Sequence, residues 1–139
     1  MIKVMPPDCF DVPTRNQSQM IEVTEQVRGV VLSRGVQRGR VIVYVPHTTA
    51  GITINENADP DVTHDMLEQL EQMVPWSQPF YRHAEGNSAS HVKASMMGSS
   101  VMVLIENGQL QLGTWQGIWF CEFDGPRTRK VIVQVDDIR

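Results

Sequence analysis

Val101-Met102-Val103-Leu104-Ile105-Glu106-Asn107-Gly108-Gln109-Leu110-Gln111-Leu112 decides the fold class. A short apolar run, Val101 to Ile105, stops at Asn-Gly, and apolar residues resume at every second position in Leu110 and Leu112. Asn-Gly readily takes the two positive φ angles of a tight turn, so the segment predicts a β-hairpin. Two more strands follow, Trp115 to Phe123 and Val131 to Val135. Upstream, Arg40 to Val45 is short, β-branched and aromatic, as a buried strand is, and Gly51 to Asn55 alternates. Phe10 with Val12, and Met20 and Ile21 with Val23, mark two shorter strands.

Helical periodicity is confined to the segments between. Thr24 is a candidate N-cap for a helix with Val27, Val30 and Val31 on its inner side and Gly35 as C-cap. Asp59 caps a second helix, Pro60 fills its first position and Pro75 stops it. Its apolar stripe is Val62, Met66, Leu70, Met73 and Val74, opposite a face of His64, Asp65, Glu68, Glu71 and Gln72. A third helix runs from about Ala89 to Met97, ended by Gly98. Strands dominate and hairpins join them. The expectation is an α+β fold, mostly antiparallel, in two packed layers. No repeat or linker divides the 139 residues, so one domain, 1–139, is expected.

Composition narrows the function classes. Hydrophobic residues are 41% and charged ones 20%, which excludes a disordered chain. No run of ~20 apolar residues could span a membrane, and the first residues lack a signal peptide's apolar stretch. Cys9 and Cys121 are too few for a disulfide scaffold, so a reducing cytoplasm is expected. A net charge of −4 argues against a general nucleic-acid binder. Acids concentrate between Val41 and Tyr81, where Lys and Arg are absent, and Arg127, Arg129 and Lys130 gather near the end.

Three of the four histidines are candidates for chemistry. His47 ends a buried strand, and His83 and His91 flank a loop. Imidazole is the commonest metal ligand, and three leave an open position for catalysis. The spacing matches no standard zinc motif, and local hydrogen bonding is the alternative role. Glu85 and Asn87 could orient the rings or cap the loop and helix. His64, on a polar helix face, reads as solvated. The turn Asp124-Gly125-Pro126-Arg127-Thr128-Arg129 offers two guanidinium groups. It is either a phosphate clamp or a surface turn with an ion pair to Asp124. Trp115 and Gln116 start a strand and are core or pocket residues. No P-loop, GxGxxG or nucleophile motif occurs.

Several of these stretches belong together. His47-Thr48-Thr49-Ala50-Gly51, Asn55-Glu56-Asn57-Ala58-Asp59-Pro60, His83-Ala84-Glu85-Gly86-Asn87, His91-Val92-Lys93-Ala94-Ser95, Leu112-Gly113-Thr114-Trp115-Gln116 and Glu122-Phe123-Asp124-Gly125-Pro126-Arg127 follow one another. In that order they resemble the YjbQ family, also named the secondary thiamine-phosphate synthase family. The resemblance covers roughly Val41 to Val135. It implies a small, jelly-roll-like β-sandwich with about three helices, assembled as a homotrimer. It also implies a metal on His47, His83 and His91, with Thr48, Glu85, Asn87, Gln116 and Arg127 near a phosphorylated substrate.

The family name implies joining a pyrimidine diphosphate to a thiazole phosphate, giving thiamine phosphate and pyrophosphate. Pyrophosphate departure calls for a divalent cation or for Arg and Lys, here Arg127, Arg129 and Lys93. Three imidazoles suit zinc better than magnesium, although a diphosphate substrate could bring magnesium. A zinc-dependent hydrolase of a small phosphorylated or acyl substrate and a non-catalytic metal-binding trimer are the alternatives.

Overall fold

The computed structural model describes residues 1–138; Arg139 lies outside them. In chain order the elements are β1 (Ile2–Val4), β2 (Asp8–Pro13), β3 (Gln19–Glu22), α1 (Thr24–Arg34), β4 (Arg38–Tyr44), β5 (Ala50–Glu56), α2 (Pro60–Met73), α3 (Ser88–Met97), β6 (Ser100–Glu106), β7 (Gln109–Leu110), β8 (Gln116–Glu122) and β9 (Thr128–Ile138). Each strand pair is antiparallel. The larger sheet runs β1-β9-β4-β6-β7, and β2 also pairs with β9. β9 is long enough for two partners on one edge: β2 takes Thr128 to Val133 and β1 takes Asp136 to Ile138. The smaller sheet is β3-β8-β5. The expected α+β, antiparallel, three-helix fold is present, with its strands divided six and three between two open sheets.

Alternation builds the core. Every second residue of β4 (Val41, Val43), β6 (Val103, Ile105) and β9 (Val131, Val133, Val135) is buried and shares one cluster with Ile52 of β5 and Ile118 and Phe120 of β8. α1 adds Val27 and Val31. Each such side chain contributes about 1.5–3 kcal/mol on burial. Phe120→Ala, which would empty the site of a ring with no exposed surface, should cost about 3–5 kcal/mol.

Turn chemistry fixes the joints. Asn107 and Gly108 have φ of 53° and 73°, the two left-handed conformations a type I′ hairpin needs. The partner strand β7 is only two residues long and ends before Leu112. Gly35 closes α1 at φ 66°. The Asp59 carboxylate accepts the Asp61 N–H at 2.9 Å and caps α2.

Two expectations require correction. Thr24 does not cap α1; it is the first helical residue, and the cap position is Val23, which has no side-chain acceptor. The Thr24 hydroxyl is taken up instead by tertiary contacts, accepting the Ile118 N–H and donating to Glu22, both at 2.8 Å. Met73 does not join the buried stripe of α2 and is 57% exposed. The buried residues there are Leu70 and Val74. At 100° per residue Met73 lies about 80° round the helix from their midpoint. Val62 and Met66 are half-buried and, with Leu70 and Met97, line a shallow cavity of about 460 Å³. Lys93 of α3, almost fully buried, holds α2 through a 2.7 Å ion pair with Glu71.

Candidate metal and phosphate cleft

Four segments meet at one end of the two sheets. Pro46 to Thr49 connects β4 of the larger sheet to β5 of the smaller. Asp124 to Arg127 connects β8 back to β9. The loop after α2 brings His83 to Asn87, and α3 brings His91. Together they enclose a cleft of about 420 Å³ that His47, His83 and His91 all line.

His83 and His91 form the closest pair, with ring centroids 5.4 Å apart and planes at 86°. Two imidazoles on one tetrahedral zinc, each about 2.0–2.1 Å away, place their centroids about 5 Å apart. That spacing fits a shared ion. His47 stands differently. Its Nε2 accepts the Lys130 backbone N–H at 2.9 Å, which leaves the proton of the neutral ring on Nδ1. Burial, then the Arg129 charge, lower its pKa from 6.5, so the ring is neutral at pH 7. Among the described residues, no three His, Cys, Asp or Glu side chains are grouped tightly enough to hold an ion as they lie. His47 would have to leave the Lys130 N–H to complete a set with the other two.

The acid–base groups form a chain along one wall. Arg127 folds onto its own turn, its Nε donating to the Asp124 carbonyl at 2.9 Å and its Nη2 to Asp124 Oδ2 at 2.8 Å. The ion pair expected for a surface turn is therefore present, and the same side chain lines the cleft. Asp124 Oδ2 also accepts Asn87 Nδ2 at 2.8 Å, and that amide nitrogen reaches Glu85 at 3.4 Å. Thr48 is exposed at the rim.

Behind this wall lies a buried pair. Glu122 is 0% and Arg129 3% exposed. The Glu122 carboxylate receives Arg129 Nε and the Thr14 hydroxyl at 2.8 Å, Arg129 Nη2, and the backbone N–H groups of Phe123 and Asp124. Burial raises its pKa, but these hydrogen bonds and the Arg129 charge outweigh it and hold the carboxyl below its ordinary 4.5. Arg129 Nη2 also donates to the Thr49 hydroxyl at 2.8 Å.

The sequence and the fold match known proteins. A family model described as UPF0047 protein YjbQ-like matches residues 8–137. The chain belongs to the YjbQ/UPF0047 family. It is 51% identical over 126 residues to UPF0047 protein YugU of Bacillus subtilis, covering 91% of this chain and 96% of that one. It is 46% identical to a UPF0047 protein of Archaeoglobus fulgidus, covering 87% and 94%. A crystal structure of a YjbQ/UPF0047 protein from Clostridium acetobutylicum superposes with a TM-score of 0.90 at 55% identity, covering 92% and 98%. A YbjQ-like protein of unknown function from Sulfolobus solfataricus gives 0.93 at 29% identity, covering 99% and 100%.

The YjbQ match reaches further toward the N-terminus than the motifs from Val41 onward, taking in β2, β3 and α1. Within this YjbQ chain, one expected site residue lies elsewhere. Gln116 is at the far end of β8, opposite Glu56, with its Oε1 accepting the Gly113 N–H at 2.8 Å. Six residues separate it from Glu122, about 20 Å along a strand. Lys93 faces Glu71 and not the cleft. His64 is exposed on α2, beside Asp65 at 3.1 Å, which raises its pKa. Glu122 is not among the expected site residues, and for Arg129 the sequence leaves a phosphate clamp and a surface turn both open. The signal was available: Ile118, Phe120 and Glu122 are alternate residues of one strand, and a carboxylate in an inward series requires a cationic partner.

Proposed function

We propose that the YjbQ cleft binds a divalent metal through His83, His91 and His47 and acts on a small phosphorylated substrate. The observation that carries this reading is the convergence of three imidazoles and two guanidinium groups on one cleft. Charge supports the order of binding. Among the carboxylates and guanidinium groups at and just behind the wall, Glu85, Asp124 and Glu122 oppose Arg127 and Arg129, a net of −1. Such a wall attracts a cation before an anion, and a divalent ion turns it positive. Imidazole ligands favour zinc over magnesium.

A divalent ion here would supply Lewis acidity toward a phosphoryl oxygen and make a nucleophile available at neutral pH. His83 and His91 would hold it, and His47 would complete the set on leaving the Lys130 N–H. Arg127, kept beside the cleft by Asp124, would meet the phosphate through its remaining N–H groups in a charge-assisted pair. Arg129, clamped by Glu122, adds a fixed positive potential on the same wall. Thr48 offers a hydroxyl at the rim. This set suits hydrolysis. Transfer of the thiamine-phosphate synthase type is the second reading, favoured by the two guanidinium groups, which suit a departing diphosphate.

The same reading carries a homotrimer, supported by Tyr44, Met102 and Leu104, exposed by 45–60% on the outer face of β4 and β6. A monomeric mass by light scattering at micromolar concentration would remove it. The central test is zinc binding by calorimetry to the wild type and to His83→Ala. Product analysis follows, with a phosphate monoester and with the pyrimidine diphosphate plus thiazole phosphate pair. Free phosphate supports hydrolysis, thiamine phosphate with pyrophosphate supports transfer, and zinc binding without turnover supports a non-catalytic metal-binding protein. Absence of zinc binding overturns the metal reading.

A further inference from the structure

One buried polar atom in the cleft has no partner. Asn87 is 5% exposed and its Oδ1 accepts no hydrogen bond. The amide cannot be reversed to remove the defect. Its nitrogen donates to Asp124 at 2.8 Å and faces Glu85 at 3.4 Å, and two carboxylates can only accept. Nor does the side chain cap α3, although Asn87 stands at the cap position and asparagine favours that role. A buried carbonyl left unpaired costs about 1–3 kcal/mol. Here the side chain is held away from its local partner by Asp124, in a residue that lines the cleft.

Charge defines what should meet it. Asp124 has a cation in Arg127. Glu85 has none among the described residues, and its one polar contact there is the long one to Asn87. A neutral hydroxyl would satisfy Asn87 Oδ1 and leave Glu85 uncompensated. An ammonium group satisfies both, with donors to spare for Asp124. Asn87 Oδ1 is shut off from solvent, so the ligand is admitted by a movement of the Asn87 side chain, and its 3.4 Å contact with the exposed Glu85 is the weaker of the two that hold it. The distance to the anion side is short. Asn87 Nδ2 and Arg127 Nη2 grip the same Asp124 oxygen, so they are no further apart than twice 2.8 Å. A two-carbon link between amine and phosphate spans such a gap.

We infer that the substrate is a phosphorylated amine, with its ammonium donating to Asn87 Oδ1 and Glu85 and its phosphate facing Arg127. This rests on the phosphorylated-substrate reading above and names the substrate class. Asn87 and Glu85 are then its specificity-determining residues.

The test is calorimetric binding of three probes to the zinc-loaded protein: 2-aminoethyl phosphate, 2-hydroxyethyl phosphate and ethyl phosphate. The amine should bind at least about tenfold more tightly than the other two, as expected for charge-assisted hydrogen bonds. Asn87→Ala and Glu85→Gln should each shrink that ratio to about twofold. Glu85 is exposed, so its variant remains informative should Asn87→Ala loosen the loop. Equal affinities in the wild type overturn the inference and leave the phosphate reading standing. Failure of all three to bind overturns both. A preference that survives both substitutions places the amine elsewhere and overturns the assignment. Loss of zinc retention in Glu85→Gln would assign that carboxylate to the metal, and overturns it too.

Discussion

Replacing Glu122 by Gln keeps the side-chain shape and removes the charge opposite Arg129. Both residues are shut away from water, with Glu122 at 0% and Arg129 at 3% exposure. The carboxylate receives five hydrogen bonds, two of them from the guanidinium. Removing one partner of a buried ion pair leaves the other charge uncompensated, at a cost of about 3–5 kcal/mol. Unfolding entropy near the midpoint is about 2.1 cal/mol/K per residue, or about 0.3 kcal/mol/K for a chain this long. The expected fall in Tm is therefore about 10–17 °C at pH 7, read by scanning calorimetry. The double variant Glu122→Gln/Arg129→Met removes the stranded charge and should recover at least half of the loss, since apolar replacement of a whole buried pair is often neutral. A single variant that loses less than about 1 kcal/mol, or a double variant that loses more than the single, would refute the reasoning.

Other expectations follow from the same geometry. Because Glu122 titrates below 4.5 in the folded protein, its stabilisation is complete above that pH and is lost as pH falls through the folded value; the stability gap between wild type and Glu122→Gln should narrow only below about pH 4.5, as urea titrations would show. Cys9 is exposed and Cys121 buried, with burial pushing the Cys121 thiol up to about 12. Mass spectrometry after iodoacetamide should find one adduct on the native protein and two on the unfolded one. A methyl group on Gly51 would stand 2.7 Å from the Gly98 carbonyl and 3.0 Å from Met97 Cβ, so Gly51→Ala should cost about 1–3 kcal/mol; unchanged Tm would mean that β5 and the end of α3 are less closely packed. Gly108→Val forces a β-branched residue to φ 73° and should lower stability by about 1–3 kcal/mol in urea titrations.

The features legible in the sequence are those whose physics is local. The Asn107-Gly108 turn, the Gly35 and Gly98 helix ends and the Asp59-Pro60 start all rest on conformational preferences of one or two residues. The strands rest on a two-residue period. What was not legible depends on partners distant in the chain. Thr24 has the chemistry of a cap, but Ile118, 94 residues away, takes its oxygen. Met73 lies among apolar residues, but the side of α2 that is covered depends on where α3 and β3 lie. Gln116 is of a type that can line a pocket, and only the pairing of β8 with β5 reveals that it stands at the end of β8 away from the cleft. The lining of one cleft by His47, His83 and His91 follows the sequence expectation, while the engagement of His47 with the Lys130 backbone was not legible, because that contact joins the β4–β5 connection to β9, 83 residues away.

Sheet pairing also explains why the cleft lies where it does. Ala50 is opposite Glu122 where β5 meets β8, and Tyr44 is opposite Ile132 where β4 meets β9. The chain passes from the larger to the smaller sheet after β4 and returns after β8, so these registers place the two crossings side by side. A crossing segment leaves both ladders and frees its backbone and side chains to face a ligand. Outside the ladders it keeps isolated backbone bonds, among them Phe123 N–H to the Thr49 carbonyl at 3.2 Å and Gly125 N–H to the Gln17 carbonyl at 3.1 Å, and needs a further hold from side chains. Glu122 and Arg129 supply that hold: one stands on the last residue of β8, the other on the second residue of β9, and Thr49 of the neighbouring crossing closes the network. An apolar pair could match the stability of this ion pair but not its directed bonds to Thr14, Thr49 and the Asp124 N–H. The buried charges therefore fix the geometry of the cleft wall, so the double variant that regains stability should still bind phosphorylated probes more weakly than the wild type.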